Sequence, residues 1–320
     1  MLVTATCMHV LVACAGLLSA VSADSEHSSP SKPPPPPPIY TFSELYALQT
    51  KFWDHFLSPA NAAEAASINS SLLADDILGR VDVSRTFTGR ELNTEYLFGL
   101  FANLATPASE ASLSLLGVHV AYNITHFAAE QNLAAASTIV TFNISAAGDW
   151  LAPVEILTWI TWDAAGAITQ YDATFRYFDF LMATVTQRAA TLLGLNSTDA
   201  AQAYFTRGLA QSICGVAQAY CNGTNIQYAS YNACYAFLTQ DIRFGEPYEL
   251  DGNTLLCRMV HENLVPFRPA VHCPHIGPTG GGLCVDDQTY EQRVTEPYFT
   301  NEPFVPFGYA NENATIAAEK

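Results

Sequence analysis

The stretch Leu157–Phe175, LTWITWDAAGAITQYDATF, decides how the first half of this chain folds. Aromatic and β-branched residues fill both of its arms, and Asp163, Ala164, Ala165 and Gly166 separate them, with Gly where a tight turn needs a positive φ. It reads as two antiparallel strands, Val154–Trp162 and Ile168–Phe180. Side chains alternate faces along a strand. Tyr171, Ala173, Phe175 and Tyr177 therefore make an apolar row, and Gln170, Asp172, Thr174 and Arg176 make a polar one. If the apolar row faces inward, Asp172 points outside.

Upstream the same period of two marks Leu115–Phe127 and Ser137–Ser145 as strands, so the segment ends as an antiparallel meander. Asn123 and Asn143 lie in N-x-S/T sequons within these strands, and a glycan cannot point into a core. Strict alternation with Asn123 outward sends His119 and Ala121 outward and Val118, Val120, Tyr122, Ile124 and His126 inward. Asn143 outward likewise sends Val140, Phe142 and Ile144 inward. His126 then ends an apolar inward row.

Ahead of the strands, Thr41 and Glu44 have capping-box spacing, and Phe42, Leu45, Leu48, Phe52 and Phe56 recur at helical intervals up to Ser58 and Pro59. Residues 60–104 read as short helices with a strand near Val81–Phe87. Thr41–Met182 thus resembles the NTF2-like superfamily in its SnoaL-like branch, most specifically in the hairpin quoted above. The resemblance implies an apolar cavity inside a cone of N-terminal helices on a curved antiparallel sheet, with or without chemistry. Enzymes of that kind place one or two titratable groups in the cavity, where burial moves their pKa toward neutrality. His126 is the best placed catalytic candidate, with Asp54, His55 and Asp172 as others. None matches a catalytic motif of the family, and a strand-end histidine beside Asn123 is also an ordinary solvated one.

The second half begins with helices predicted at Thr184–Leu193 and Thr198–Tyr220. Cys214 and Cys221 share one face of the latter but stand about 10 Å apart along its axis, too far to bond to each other. Cys273 and Cys284 flank the flexible GPTGGG turn and are expected to pair. Cys214 and Cys221 would then reach Cys234 and Cys257 in either combination. His272 and His275 flank Cys273, with His261 upstream and Asp286 and Asp287 after Cys284. The spacing fits no zinc pattern, and secreted cysteines are more often bridged than ligating, so no metal site and no cofactor is assigned. There is no G-x-S-x-G, no H-E-x-x-H and no dinucleotide fingerprint.

The ends and the composition set the setting. Residues 1–23 read as a signal peptide cut after Ala23, 24–40 as a linker with the polyproline run Pro33–Pro38, and 297–320 as an extended tail. After Ala23 the six remaining cysteines imply three disulfides, and sequons lie at Asn69, Asn123, Asn143, Asn196, Asn222 and Asn313. Thirteen basic against 30 acidic residues give a net charge of −17, which disfavours nucleic acid and anionic membrane surfaces as partners. The expected molecule is a secreted α+β glycoprotein. An NTF2-like cone spans 41–182 and a helical, disulfide-stapled, loop-rich module spans 183–296. The cone is expected to hold a small apolar molecule. The other expectations are a cofactor-free isomerase, dehydratase or cyclase of a biosynthetic pathway, and a non-catalytic interaction protein, with a homodimer through the sheet open to any of them.

Overall fold

A computed structural model describes residues 39–104 and 113–296. The signal peptide, most of the linker, the tail and Asn313 lie outside the described residues. Helix α1 (Phe42–Phe56) opens with the predicted capping box: Glu44 N–H donates to Thr41 Oγ1 at 3.3 Å, and Thr41 N–H donates to Glu44 Oε2 at 2.7 Å. Its apolar stripe is buried at Leu45, Phe52, Trp53 and Phe56. Helix α2 (Ala60–Ser67) follows.

Next comes β1 (Leu73–Val81), hairpinned to the short β2 (Thr86–Thr88). The strand expected near 81–87 is thus a hairpin bend, and the strand itself lies earlier. Asp75 and Asp76 interrupt β1's apolar pattern and hide it in sequence. Helix α3 (Arg90–Thr94) then runs through a π-helical turn, Glu95–Gly99, into α4 (Leu100–Ala102).

The remaining strands are β3 (Val118–Glu130), β4 (Leu133–Ile144), β5 (Trp150–Trp162) and β6 (Ile168–Phe175). The sheet order is β2-β1-β6-β5-β4-β3. The sheet is mixed rather than antiparallel throughout, because β1 lies parallel to β6. The β5–β6 turn is the predicted one. Asp163 Oδ1 accepts from Ala165 and Ala167 N–H at 2.8 and 2.9 Å, and Gly166 has φ +78°.

The strand expected to reach Phe180 stops at Phe175, since Tyr177 turns left-handed and starts α5 (Phe178–Leu192). That helix runs unbroken through 182/183. Helix α6 (Thr198–Tyr220) is continuous, as its spacing predicts, with Ser197 Oγ accepting from Ala200 N–H. It is followed by α7 (Tyr231–Ala236), α8 (Leu255–Glu262), α9 (Pro269–Ile276) and α10 (Tyr290–Val294). One apolar core runs from Leu45 on α1 through the sheet to Phe205 on α6 and Ile276 on α9.

The cysteines pair as Cys214–Cys234, Cys221–Cys273 and Cys257–Cys284. The expected Cys273–Cys284 bridge is therefore corrected. The segment around HCPH forms α9, which aims Cys273 at Cys221 at the end of α6. The loop after it is pinned instead by buried Arg258, whose guanidinium donates to the carbonyls of Gly277 and Pro278.

Candidate functional site

The sheet and α1 line an apolar cavity of about 120 Å³. At roughly 10–15 Å³ per water-sized position, that is space for about ten non-hydrogen atoms. Phe52, Trp53 and Phe56 of α1 form one wall, and Phe142, Ile156 and Ile160 of the sheet form another. Phe178 and Met182 on α5 add to the wall, and Leu250 and Val260, from the segment expected to be a separate module beside the cone, line it as well.

Polar groups at the wall are few. Thr158 Oγ1 accepts from Gln49 Nε2 at 3.5 Å, while the hydroxyl of Tyr171 and the indole N–H of Trp53 are buried with no hydrogen-bond partner. Burial raises the Tyr171 hydroxyl pKa far above the ordinary phenol value, so it stays a neutral donor.

The catalytic candidates read from the sequence do not meet in this cavity. His126 is exposed and its Nδ1 lies 3.1 Å from Thr125 Oγ1. The cause is two β-bulges in β3. His119 pairs with Phe142 but Ala121 with Thr141, and Ile124 pairs with Thr138 but His126 with Ser137, so Val120 and Thr125 are each an extra residue. Each extra residue shifts the alternation by one.

His119, expected outward, is therefore fully buried against Phe56 and Phe101, and Val120, expected inward, is 45% exposed. Val140, Phe142 and Ile144 do face inward. Asp54 is exposed and accepts from the Tyr122 hydroxyl at 2.8 Å. His55 pairs with Glu64 at 2.7 Å on the surface side of α1. Asp172 lies on the outer face, as alternation predicts, paired with Arg80 at 2.6 Å. Among the sequons, Asn69, Asn123, Asn196 and Asn222 are exposed, whereas Asn143 is half-buried.

A second constellation, unread in the sequence as a unit, borders the cavity. Tyr96, on the π-helical turn, lines the cavity and stacks on Phe87 with ring centroids 4.0 Å apart. Its hydroxyl is hydrogen-bonded to Nε2 of His261 on α8. His261 Nδ1–H donates to Cys257 O at 2.8 Å, which fixes the tautomer: Nε2 carries no proton and accepts from Tyr96.

The neighbouring Glu95 faces Arg268 at 3.1 Å and His272 Nε2 at 3.0 Å, and His272 Nδ1 lies 3.2 Å from His275 Nδ1. His261 and His275 meet edge to face at 5.0 Å. Burial holds His261 well below the ordinary imidazole pKa, with His275 adding to the effect. Burial, then His272 and Arg85, pushes His275 down to about 4. Burial also raises the Tyr96 hydroxyl, against a smaller opposing pull from Arg85.

His261, His272 and His275 thus converge, but Asp286 and Asp287 do not join them and pair with Arg243 and Arg85 instead. Among the described residues, Cys257, His261 and Cys284 bring possible ligand atoms within 4.8 Å of one another. The two sulfurs are bonded to each other, and a disulfide offers a cation no thiolate.

Solved structures that align to about half of the chain include two similar in kind. One is a steroid delta-isomerase from Pseudomonas aeruginosa (10% identity, 50% of this chain and 96% of that one, TM-score 0.30). The other is a hypothetical protein with a ketosteroid isomerase-like fold from Catenulispora acidiphila (15% identity, 48% and 95%, TM-score 0.33). Curated relatives are much nearer. The bifonsecin B biosynthesis cluster protein A of Aspergillus brasiliensis is 50% identical over 285 residues, covering 89% of this chain and 91% of its own. The aurasperone B biosynthesis cluster protein A of Aspergillus niger is 52% identical over 260 residues, covering 81% and 83%. Residues 50–173 match the BfoA N-terminal domain and residues 174–287 match the BfoA family C-terminal domain, which gives the cysteine-bearing half a family of its own. The chain belongs to the BfoA family.

Proposed function

We propose that this protein holds a small apolar molecule inside the cone and serves a biosynthetic pathway, as its relatives' names say of them. The observation that carries the reading is the apolar cavity, whose lining residues include Tyr171 with its buried, partnerless hydroxyl. A buried hydroxyl without a partner costs about 1–3 kcal/mol, and a carbonyl or phenolic oxygen on a ligand would recover that. The ligand is therefore a mostly apolar ring compound of about ten non-hydrogen atoms carrying at least one hydrogen-bond acceptor.

The setting is the secretory pathway. Three disulfides and the exposed sequon asparagines Asn69, Asn123, Asn196 and Asn222 support it. Exposed Val120, Leu151 and Trp159 on the strands support self-association through the sheet.

The test is native mass spectrometry of the protein purified from its source, together with titration of the ligand-free protein with 2-indanone, followed by the fluorescence of Trp53 in the wall. A retained small molecule or saturable quenching is the expected result. A source-purified mass explained by polypeptide and glycans alone, with no saturable response to 2-indanone, overturns the reading.

A further inference from the structure

The cavity wall is not held in the same way all round. Most of it is sheet and helix packed through apolar side chains, and Phe52, Phe142 and Ile160 in it are buried. Val81, Ser84, Phe175 and Leu181 also line it but are only half-buried. These four stand at one end of the cone: Val81 pairs with Ala173 across β1 and β6, the Phe175 N–H donates to Asp82 Oδ1 at 3.1 Å, and Leu181 follows on α5. The lining meets solvent at that end. We propose that the segment Thr289–Glu296 is a strap that gates it, and that a small molecule enters and leaves the cavity when the strap lifts off the β1–β2 bend. This rests on the reading that the cone holds a small apolar molecule.

Three pieces of chain meet in the clasp. The β1–β2 bend brings Val83, Ser84 and Arg85, and the loop ahead of α8 brings Leu250 and Asp251. Leu250 N–H donates to Val83 O at 2.9 Å, which joins the bend to the loop next to the cavity lining. Asp251 is buried, with Arg85 Nε 3.4 Å away on the bend side. The strap crosses both. Arg293 on α10 donates to both carboxylate oxygens of Asp251, at 2.9 and 2.8 Å, and to Tyr248 O at 3.2 Å. Two turns of chain further along the contact reaches the sheet edge, where the Thr86 hydroxyl on β2 donates to Glu296 Oε2 at 2.6 Å.

The strap is built to come away as a unit. Helix α10 has no buried side chain, and Tyr290 and Val294 are exposed, so it contributes nothing to the apolar core. Its own fold is kept by a local capping box, in which Gln292 N–H donates to Thr289 Oγ1 and Thr289 N–H donates to Gln292 Oε1. What ties it down is polar and within reach of water, and water replaces such partners at small net cost. A segment with few apolar contacts and partly exposed hydrogen bonds opens far more often than the sheet beneath it. Cys284, the last cysteine of the chain, is bonded to Cys257 just before the strap begins. Lifting the strap therefore leaves the staple and α8 in place.

A gate changes how fast a ligand passes, not how tightly it sits. The experiment measures association and dissociation of 2-indanone by stopped-flow fluorescence of the wall tryptophan, using the full folded chain with its disulfides intact. Arg293→Gln, which removes the charged anchor, should raise both rate constants by about tenfold and leave the dissociation constant within about twofold. Thr86→Val, an uncharged change of the same shape at the other anchor, should raise both by about threefold. In hydrogen exchange followed by mass spectrometry, the peptide carrying Leu250 should exchange faster in Arg293→Gln, with peptides of α1 and β5 unchanged. Unchanged rate constants in both variants overturn the proposal, because the ligand then passes elsewhere. So does exchange that quickens equally in α1 and β5, which would make the strap a general support of the fold. Failure of 2-indanone to bind the wild type overturns the cavity reading itself, and with it this proposal.

Discussion

The ring of Tyr171 on β6 lies directly over Gly79 on β1, its partner in the parallel register. A Cβ on Gly79 would fall 2.2 Å from the Cε1 and Cζ atoms of that ring and 2.4 Å from Oδ1 of Asn93. Only a residue without a side chain lets the tyrosine reach across the sheet while staying fully buried. Gly79→Ala should therefore destabilise the protein by about 1–3 kcal/mol, because the ring must move or the strands must part. Thermal denaturation reads the loss, and an unchanged midpoint would mean that the ring has room to retreat.

Removing the Tyr171 oxygen should separate stability from binding. Tyr171→Phe deletes a buried hydroxyl that no protein group satisfies, so the ligand-free protein should be as stable as the wild type or more stable by about 1 kcal/mol. The same change should weaken 2-indanone by about five- to tenfold, the typical worth of one hydrogen bond. Calorimetric titration of both proteins checks the second figure, and equal affinities would remove Tyr171 from the site.

The two histidines of β3 should behave oppositely to what strict alternation predicts. His119 Nδ1 accepts from Ser58 N–H at 3.1 Å, and the ring packs among Phe56, Phe101 and Phe142. His119→Ala should cost about 2–4 kcal/mol, whereas His126→Ala, on the exposed face, should stay within about 0.5 kcal/mol.

Burial pushes the His119 pKa down from 6.5 to about 4. The unfolded chain therefore binds the proton first. Stability from this residue is present above the unfolded value and is lost as pH falls from about 6.5 toward 4. The stability gap between wild type and His119→Gln should narrow over that window in pH-dependent urea denaturation, and a constant gap would place the ring in contact with solvent.

Non-reducing peptide mapping should recover Cys214–Cys234, Cys221–Cys273 and Cys257–Cys284. Each bridge typically contributes about 2–4 kcal/mol. Replacing Cys257 and Cys284 together by Ala should lower stability by that order and, because Cys257 and Cys284 Sγ lie 3.5 and 3.4 Å from His261 Nδ1, should also disturb the Tyr96–His261 pair. A peptide joining Cys273 to Cys284 would refute the direction in which α9 aims Cys273.

Local chemistry was legible in the sequence wherever the signal was local. The capping box at Thr41 and Glu44, the Asp163–Gly166 turn, the outward Asp172 and the continuous α6 that keeps Cys214 from Cys221 all follow from spacing of a few residues. Tertiary structure decided everything that hung on a long count or a distant partner. Two bulges, invisible in composition, reversed His119 and His126, since a period of two retains no memory of an inserted residue. Strand β1 escaped notice because its place beside β6 comes from a partner about ninety residues away. The disulfide pairing depended on where α9 points, not on the short loop after Cys273. Tyr96 and His261 lie 165 residues apart and meet only because the second half of the chain packs against the cone made by the first.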